Sequence, residues 1–110
     1  VIYLAGPYSD PDAAVREARF RAACLATAKL VCRGHSAFSP IVHGHPLAEY
    51  GVPIGWDFWQ PFDLEHLARC DELWVLTLDG WRQSVGVQEE IRLAEQLDLR
   101  IRYVPSASKG

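Results

Sequence analysis

Along this chain the spacing of apolar residues changes several times, and each change marks an element. Val1–Ala5 is an unbroken apolar run closed by Gly6-Pro7, the pattern of a buried strand. Ser9-Asp10-Pro11-Asp12 then supplies a polar cap, a proline and an acid, which together open a helix. That helix runs to about Arg33 and stops at Gly34. Its first half carries Arg16, Glu17, Arg19 and Arg21. Its second half, Ala22–Cys32, is almost wholly apolar and is expected to be buried on most sides. Ser36–Pro40 reads as a second short strand. From His43 to Gly55 turn residues dominate, which predicts a loop of roughly fifteen residues, long enough to be functional or poorly ordered. Trp56–Cys70 returns to helical spacing through Trp59, Phe62 and His66, with Pro61 placed to kink or restart it. Glu72–Leu78 is the clearest strand pattern. Asp79-Gly80 makes a turn, Ser84–Asp98 an amphipathic helix, and Arg100–Val104 a closing strand.

Strands alternating with helices in this order predict an α/β fold: a flavodoxin-like or Rossmann-like three-layer sandwich with a short parallel sheet flanked by helices. The 110 residues are enough for one domain, 1–110, and show no internal repeat. With 49% hydrophobic residues the chain can bury a core. A net charge of −3 and scattered arginines argue against a nucleic-acid partner. No window is long and apolar enough for a membrane span. Cys24, Cys32 and Cys70 are odd in number and lack C-x-x-C spacing, so all three read as core thiols. Together with the lack of a signal-peptide pattern, this predicts a cytoplasmic protein. The missing initiator Met and the loose end Pro105–Gly110 read as a trimmed chain.

The candidate chemistry lies in Ser84-Val85-Gly86-Val87-Gln88-Glu89-Glu90. It sits where a strand hands over to a helix, which is where open α/β sheets bind ligands. A helix N-terminus there offers free N–H groups and a positive dipole end to a phosphate. Ser84 is a natural N-cap, and its hydroxyl is also placed to touch a phosphate. Gly86 either lets a ligand approach the backbone or serves tight packing. Periodicity separates the two glutamates. Val87, Ile91, Ala94 and Leu97 form the inward stripe; Glu90 lies on or beside it, while Glu89 lies with Arg92 and Gln96 on the face expected to meet water. An inward carboxylate is costly unless something uses it. A nucleophile or a general acid/base is one such use; a boundary ion pair is the plainer one. The helix N-terminus favours ionised Glu90 and burial opposes it, a balance expected to leave it charged and poorly hydrated.

Three segments in order carry a family resemblance over nearly the whole chain. They are Ile2-Tyr3-Leu4-Ala5-Gly6-Pro7-Tyr8-Ser9, then Asp63-Leu64-Glu65-His66-Leu67-Ala68-Arg69-Cys70-Asp71 before a hydrophobic strand, then Ser84-x-Gly86-Val87-x-x-Glu90. They resemble the nucleoside 2-deoxyribosyltransferase superfamily, most closely its nucleotide N-glycosidase branch and a related group of small DUF1937-like domains. The resemblance implies an enzyme that cleaves or transfers the N-glycosidic bond of a nucleoside or nucleoside 5'-monophosphate. Glu90 would be the nucleophile at C1', as in a retaining glycosidase. Asp63 would contact the substrate and help protonate the base or orient the sugar; its plainer role is a surface acid or cap. Tyr3, Gly6 and Tyr8 would line the pocket, though Tyr3 fits a core position equally well. No metal or organic cofactor is implied. Sites of the family are commonly completed by a neighbouring subunit, which implies a homo-oligomer. The connection Leu78–Gln83 is longer than the hydrolase pattern, and Pro7-Tyr8-Ser9-Asp10 stands where the family often has an arginine.

Arg82 is placed either to add charge to a phosphate or to sit on the surface. His43 and His45, at i, i+2 with no third ligand nearby, make a weak zinc pair and read as ligand-contacting or solvated loop residues. Trp56 and Trp59 read as core or subunit interface. Two alternatives to an enzyme stand beside this reading. One is a non-catalytic nucleotide-binding or sensing domain that keeps the Ser84 site. The other is an interaction module of the same shape, which leaves the inward Glu90 without a purpose.

Overall fold

The computed structural model describes residues 1–105. The elements follow the order β1 (Ile2–Ala5), α1 (Ala13–Cys32), β2 (Ala37–Phe38), α2 (Pro40–Gly44), a 3-10 helix (His45–Tyr50), α3 (Trp56–Ala68), β3 (Glu72–Leu76), a 3-10 turn (Trp81–Gln83), α4 (Val85–Gln96) and β4 (Arg100–Val104). The four strands form one parallel sheet in the order β2-β1-β3-β4. The protein is thus α/β, with a parallel sheet between helical layers. Pro105 is the last described residue, so most of the loose end read from the sequence lies outside the described residues.

Alternation along the strands builds two cores. Tyr3, Ala5, Leu73 and Val75 face α3 and α4, where they meet Leu67, Val87, Ile91 and Ala94. Ile2, Leu4 and Leu76 face the other way and meet Ala26 and Leu30 of α1. Central β1 is buried at all four positions, as a strand covered on both faces must be. Edge strand β4 carries exposed Arg100 and Arg102, which discourages pairing with another chain. From β1 the chain moves to β2 on one side, then crosses to β3 on the other. The reversal opens a crevice at the carboxyl ends of β1 and β3.

Helix α4 starts at its predicted cap, while α1 starts later than expected, with Asp12 as its cap rather than an acid of the first turn. Asp12 caps α1 by accepting from the Ala14 N–H at 2.8 Å, and Gly34 (φ +90°) ends it. Ser84 caps α4 through the Val87 N–H at 3.2 Å.

Several expectations are corrected. The apolar half of α1 buries one side only: Ala23, Ala26 and Leu30 are inside, while Val31 is 53% exposed. One helix lying on a sheet face presents a single stripe to it, whatever its composition. For the same reason Cys32 is exposed and Cys24 half-buried; of the three thiols only Cys70 is buried. The expected loop after β2 is largely helical. Ser39 caps α2 from the Val42 N–H at 3.1 Å with Pro40 in the first turn, and Pro46 begins the 3-10 helix. Pro61 does not restart α3, which runs unbroken through it. It lies on the exposed side, as does Asp57, whose carbonyl loses its helical donor. Leu97, assigned to the inward stripe of α4, is 43% exposed because the helix ends at Gln96. Among the described residues no helix is long and apolar enough to cross a membrane.

Candidate active site

The crevice at the strand ends is a cleft of about 410 Å³. Gly6 and Tyr8 enter it from the β1 loop, Asp63 from α3, and Ser84, Gly86 and Glu90 from the start of α4. Aromatic residues Trp56 and Trp59 form a further wall. A largely apolar cleft with a few convergent polar groups is the usual form of a small-molecule site.

Glu90 is 3% exposed, on the inner face of α4. Its Oε2 accepts a hydrogen bond from the Tyr3 hydroxyl, which reaches across from the centre of β1. Burial pushes the Glu90 carboxyl up to about 8; the Tyr3 hydrogen bond opposes this, and nearby Asp63 and Glu89 reinforce it. The balance between helix end and burial therefore falls the other way from the charged state expected: at neutral pH in the free protein Glu90 is mostly protonated. Asp63 is 6% exposed, which overturns its plainer reading as a surface acid. Burial raises it to about 7, with His66 opposing. Among the described residues its Oδ1 has no hydrogen-bond partner. A buried polar atom without a partner costs free energy unless a ligand supplies one. The two carboxyls thus lie on one cleft and titrate near neutrality, the condition in which two acids can divide nucleophile and proton-donor roles.

At the α4 end, the Ser84 oxygen already accepts from Val87, which leaves its own O–H proton free to donate. Val85 and Gly86 line the cleft, and as the first two residues of α4 their N–H groups have no intrahelical acceptor. Gly86 is needed for packing as well as access: a Cβ there would stand 3.0 Å from Trp56 Cε3.

Two predicted site residues are placed differently. Tyr3 is fully buried behind Glu90 and does not line the cleft; it orients the carboxyl. Arg82 is exposed, lies over the Trp81 ring at 4.9 Å and does not line the cleft. The preceding 3-10 turn directs Gln83 to the cleft in its place. Glu89 does not pair with Arg92: its Oε1 accepts from Gln60 Nε2 of α3 at 2.8 Å.

Sequence reasoning placed Trp56 and Trp59 in core or interface and left His45 between ligand contact and solvent; all three line the cleft. Trp56, taken for core or interface, covers Gly86, and its Nε1 is buried without a partner. Trp59 lines the cleft, held by Nε1–H donation to the Pro53 carbonyl at 2.7 Å and by Gly44, whose missing Cβ leaves room for the ring. The turn-rich stretch with three glycines was the available signal. His45 also lines the cleft, between Tyr8 (2.7 Å) and Glu17 (3.0 Å). His43 points elsewhere and stacks on Phe62 at 5.4 Å. Among the described residues no group of three or more His, Cys, Asp or Glu side chains is arranged to hold a metal ion.

A family model described as "Domain of unknown function (DUF1937)" matches residues 1–104, so the chain belongs to that family. No curated protein matches it.

Proposed function

For this member of the DUF1937 family we propose cleavage or transfer of the N-glycosidic bond of a nucleoside or nucleoside 5'-monophosphate, with Glu90 as nucleophile. The observation that carries the reading is the buried Glu90 carboxyl, hydrogen-bonded by Tyr3, on the same aromatic-walled cleft as Asp63. Three sequence segments that resemble the nucleoside 2-deoxyribosyltransferase superfamily support it, since they converge on this one cleft.

In the proposed reaction ionised Glu90 attacks C1' of the sugar. The C1'–N bond breaks and its electron pair passes to the leaving base. Protonated Asp63 gives its proton to that base. Water or a second base then attacks C1' and gives its proton to the Asp63 carboxylate, while the bond from C1' to Glu90 breaks and frees that carboxylate. The Tyr3 hydroxyl donates to the carboxylate and so favours the ionised form the attack needs. Ser84 and the N–H groups of Val85 and Gly86 would receive a 5'-phosphate. The Trp56 and Trp59 rings would flank the base.

Incubation with nucleosides, deoxynucleosides and their 5'-monophosphates, with and without an acceptor base, tests the reading by chromatography of released base. Release that survives Glu89→Gln and vanishes in Glu90→Gln is the expected result. No release from any substrate refutes catalysis. Calorimetric binding of a monophosphate in that case identifies a non-catalytic nucleotide-binding domain.

A further inference from the structure

His45 sits at the boundary of two cavities. One is the cleft just described; the other, of about 460 Å³, is lined by Arg16, Glu17, Phe20, Glu49 and others, and shares Tyr8 and His45 with the first. The imidazole is clamped on three sides. Its Nδ1 is 2.7 Å from the Tyr8 hydroxyl, its Nε2 is 3.0 Å from Glu17 Oε1, and its ring stacks on Phe20 at 4.2 Å. The clamp spans three separate parts of the chain: the loop after β1, helix α1 and the 3-10 helix.

When the imidazole is neutral, the chemistry of these atoms fixes the direction of each proton. An ionised carboxylate accepts only, so Nε2 of the neutral ring must carry the hydrogen it gives to Glu17. Nδ1 is then an acceptor, and the Tyr8 hydroxyl must donate to it. Burial raises the Tyr8 phenol above its ordinary value, although Arg16 opposes this by its charge and as a donor toward the phenol oxygen, so the hydroxyl keeps the proton it donates. With that proton committed to His45, the Tyr8 oxygen has only lone pairs left for a ligand.

We propose that the Glu17–His45 pair locks Tyr8 as a hydrogen-bond acceptor on the cleft wall, so that the site selects a ligand bearing a donor there. The inference rests on the nucleoside reading for the class of ligand. On a nucleotide that donor is either an exocyclic amino group of the base or a sugar hydroxyl. Tyr8 is then a specificity-determining residue. Glu17 and His45 are positioning residues, and Glu17 acts from outside the cleft.

The lock has a spectroscopic signature that needs no ligand. Nitrogen NMR at about pH 8.5, above the ordinary imidazole range, should show His45 as the Nε2–H tautomer, and as a mixture in Glu17→Ala. Ligand selection is read by calorimetry on Glu90→Gln, which binds without turnover. The probes are deoxyadenosine 5'-monophosphate, its analogue with unsubstituted purine, and its 3'-deoxy analogue. One of the two lost donors should weaken binding about three- to tenfold, the range for a single neutral hydrogen bond. Which one identifies the group that Tyr8 reads. Adding Tyr8→Phe should abolish that preference, and adding Glu17→Ala should reduce it. An Nδ1–H tautomer, equal affinity for all three probes, or a preference that survives Tyr8→Phe overturns the inference while leaving the nucleotide site standing. No binding of any probe overturns the inference, whereas the nucleotide reading falls only if no substrate of the preceding test releases base and no monophosphate binds.

Discussion

Replacing Glu90 with glutamine should make the protein inactive and, above neutral pH, more stable. The carboxyl ordinarily titrates at 4.5 and is raised to about 8 in the fold. Below pH 4.5 it is protonated in both folded and unfolded chains and contributes no pH dependence. Between those values the unfolded chain releases the proton and the folded one retains it, so folding stability falls as pH rises. At about 1.4 kcal/mol per pH unit, the penalty reaches about 3 kcal/mol at pH 7 and about 5 kcal/mol above pH 8. Glutamine removes it. Its amide oxygen still accepts from Tyr3, while its NH₂ leaves a buried donor to satisfy, at a cost of about 1 kcal/mol. Wild type should therefore match or slightly exceed the variant at pH 4, and the curves should cross before neutrality. By pH 8 Glu90→Gln should lead by several kcal/mol. Asp63, raised from 3.8 to about 7, adds a decline of the same sign to both proteins, so neither curve is flat. Urea unfolding across this pH range measures the difference directly. Parallel curves would refute the argument, since they would mean that Glu90 titrates alike in the folded and unfolded chain. Greater stability with lost base release is the pattern expected where a fold bears a strained catalytic group.

If Glu90 must be ionised and Asp63 protonated, kcat/KM should be bell-shaped. The limbs of the coupled pair should fall near 7 and 8, with the maximum between them. In Asp63→Asn the falling alkaline limb should disappear and the rate should drop about 10²- to 10⁴-fold; a full pH–rate series decides this. Gly86→Ala places a Cβ 3.0 Å from Trp56 and should raise KM about tenfold by displacing the indole; its thermal midpoint should hold, because alanine favours helix by about 1 kcal/mol. Arg82→Ala should leave KM for a 5'-monophosphate within about twofold, where loss of a charge-assisted phosphate contact would cost about tenfold or more; steady-state kinetics distinguishes the two.

The sequence by itself determined the strands, the long helices α1, α3 and α4 and the Ser84 cap, and it told Glu90 from Glu89. Those are short-range matters. A cap is settled within three residues, and helical period alone turns Glu90 inward and Glu89 away. The same local reasoning failed where a side chain's surroundings come from elsewhere in the chain. Apolar composition in α1 did not reveal that only one side meets the sheet, and Trp56 gave no sign that it would cover Gly86. Tertiary structure decided the site itself. Tyr3 and Glu90 lie 87 residues apart and meet only because β1 stands beside β3 in the sheet, so that α4 packs across β1. Tyr8, Glu17 and His45 join over the top of α1 for a similar reason: the chain folds back from β2 through α2 before it crosses the sheet. Periodicity says which way a side chain points; strand order says what it points at.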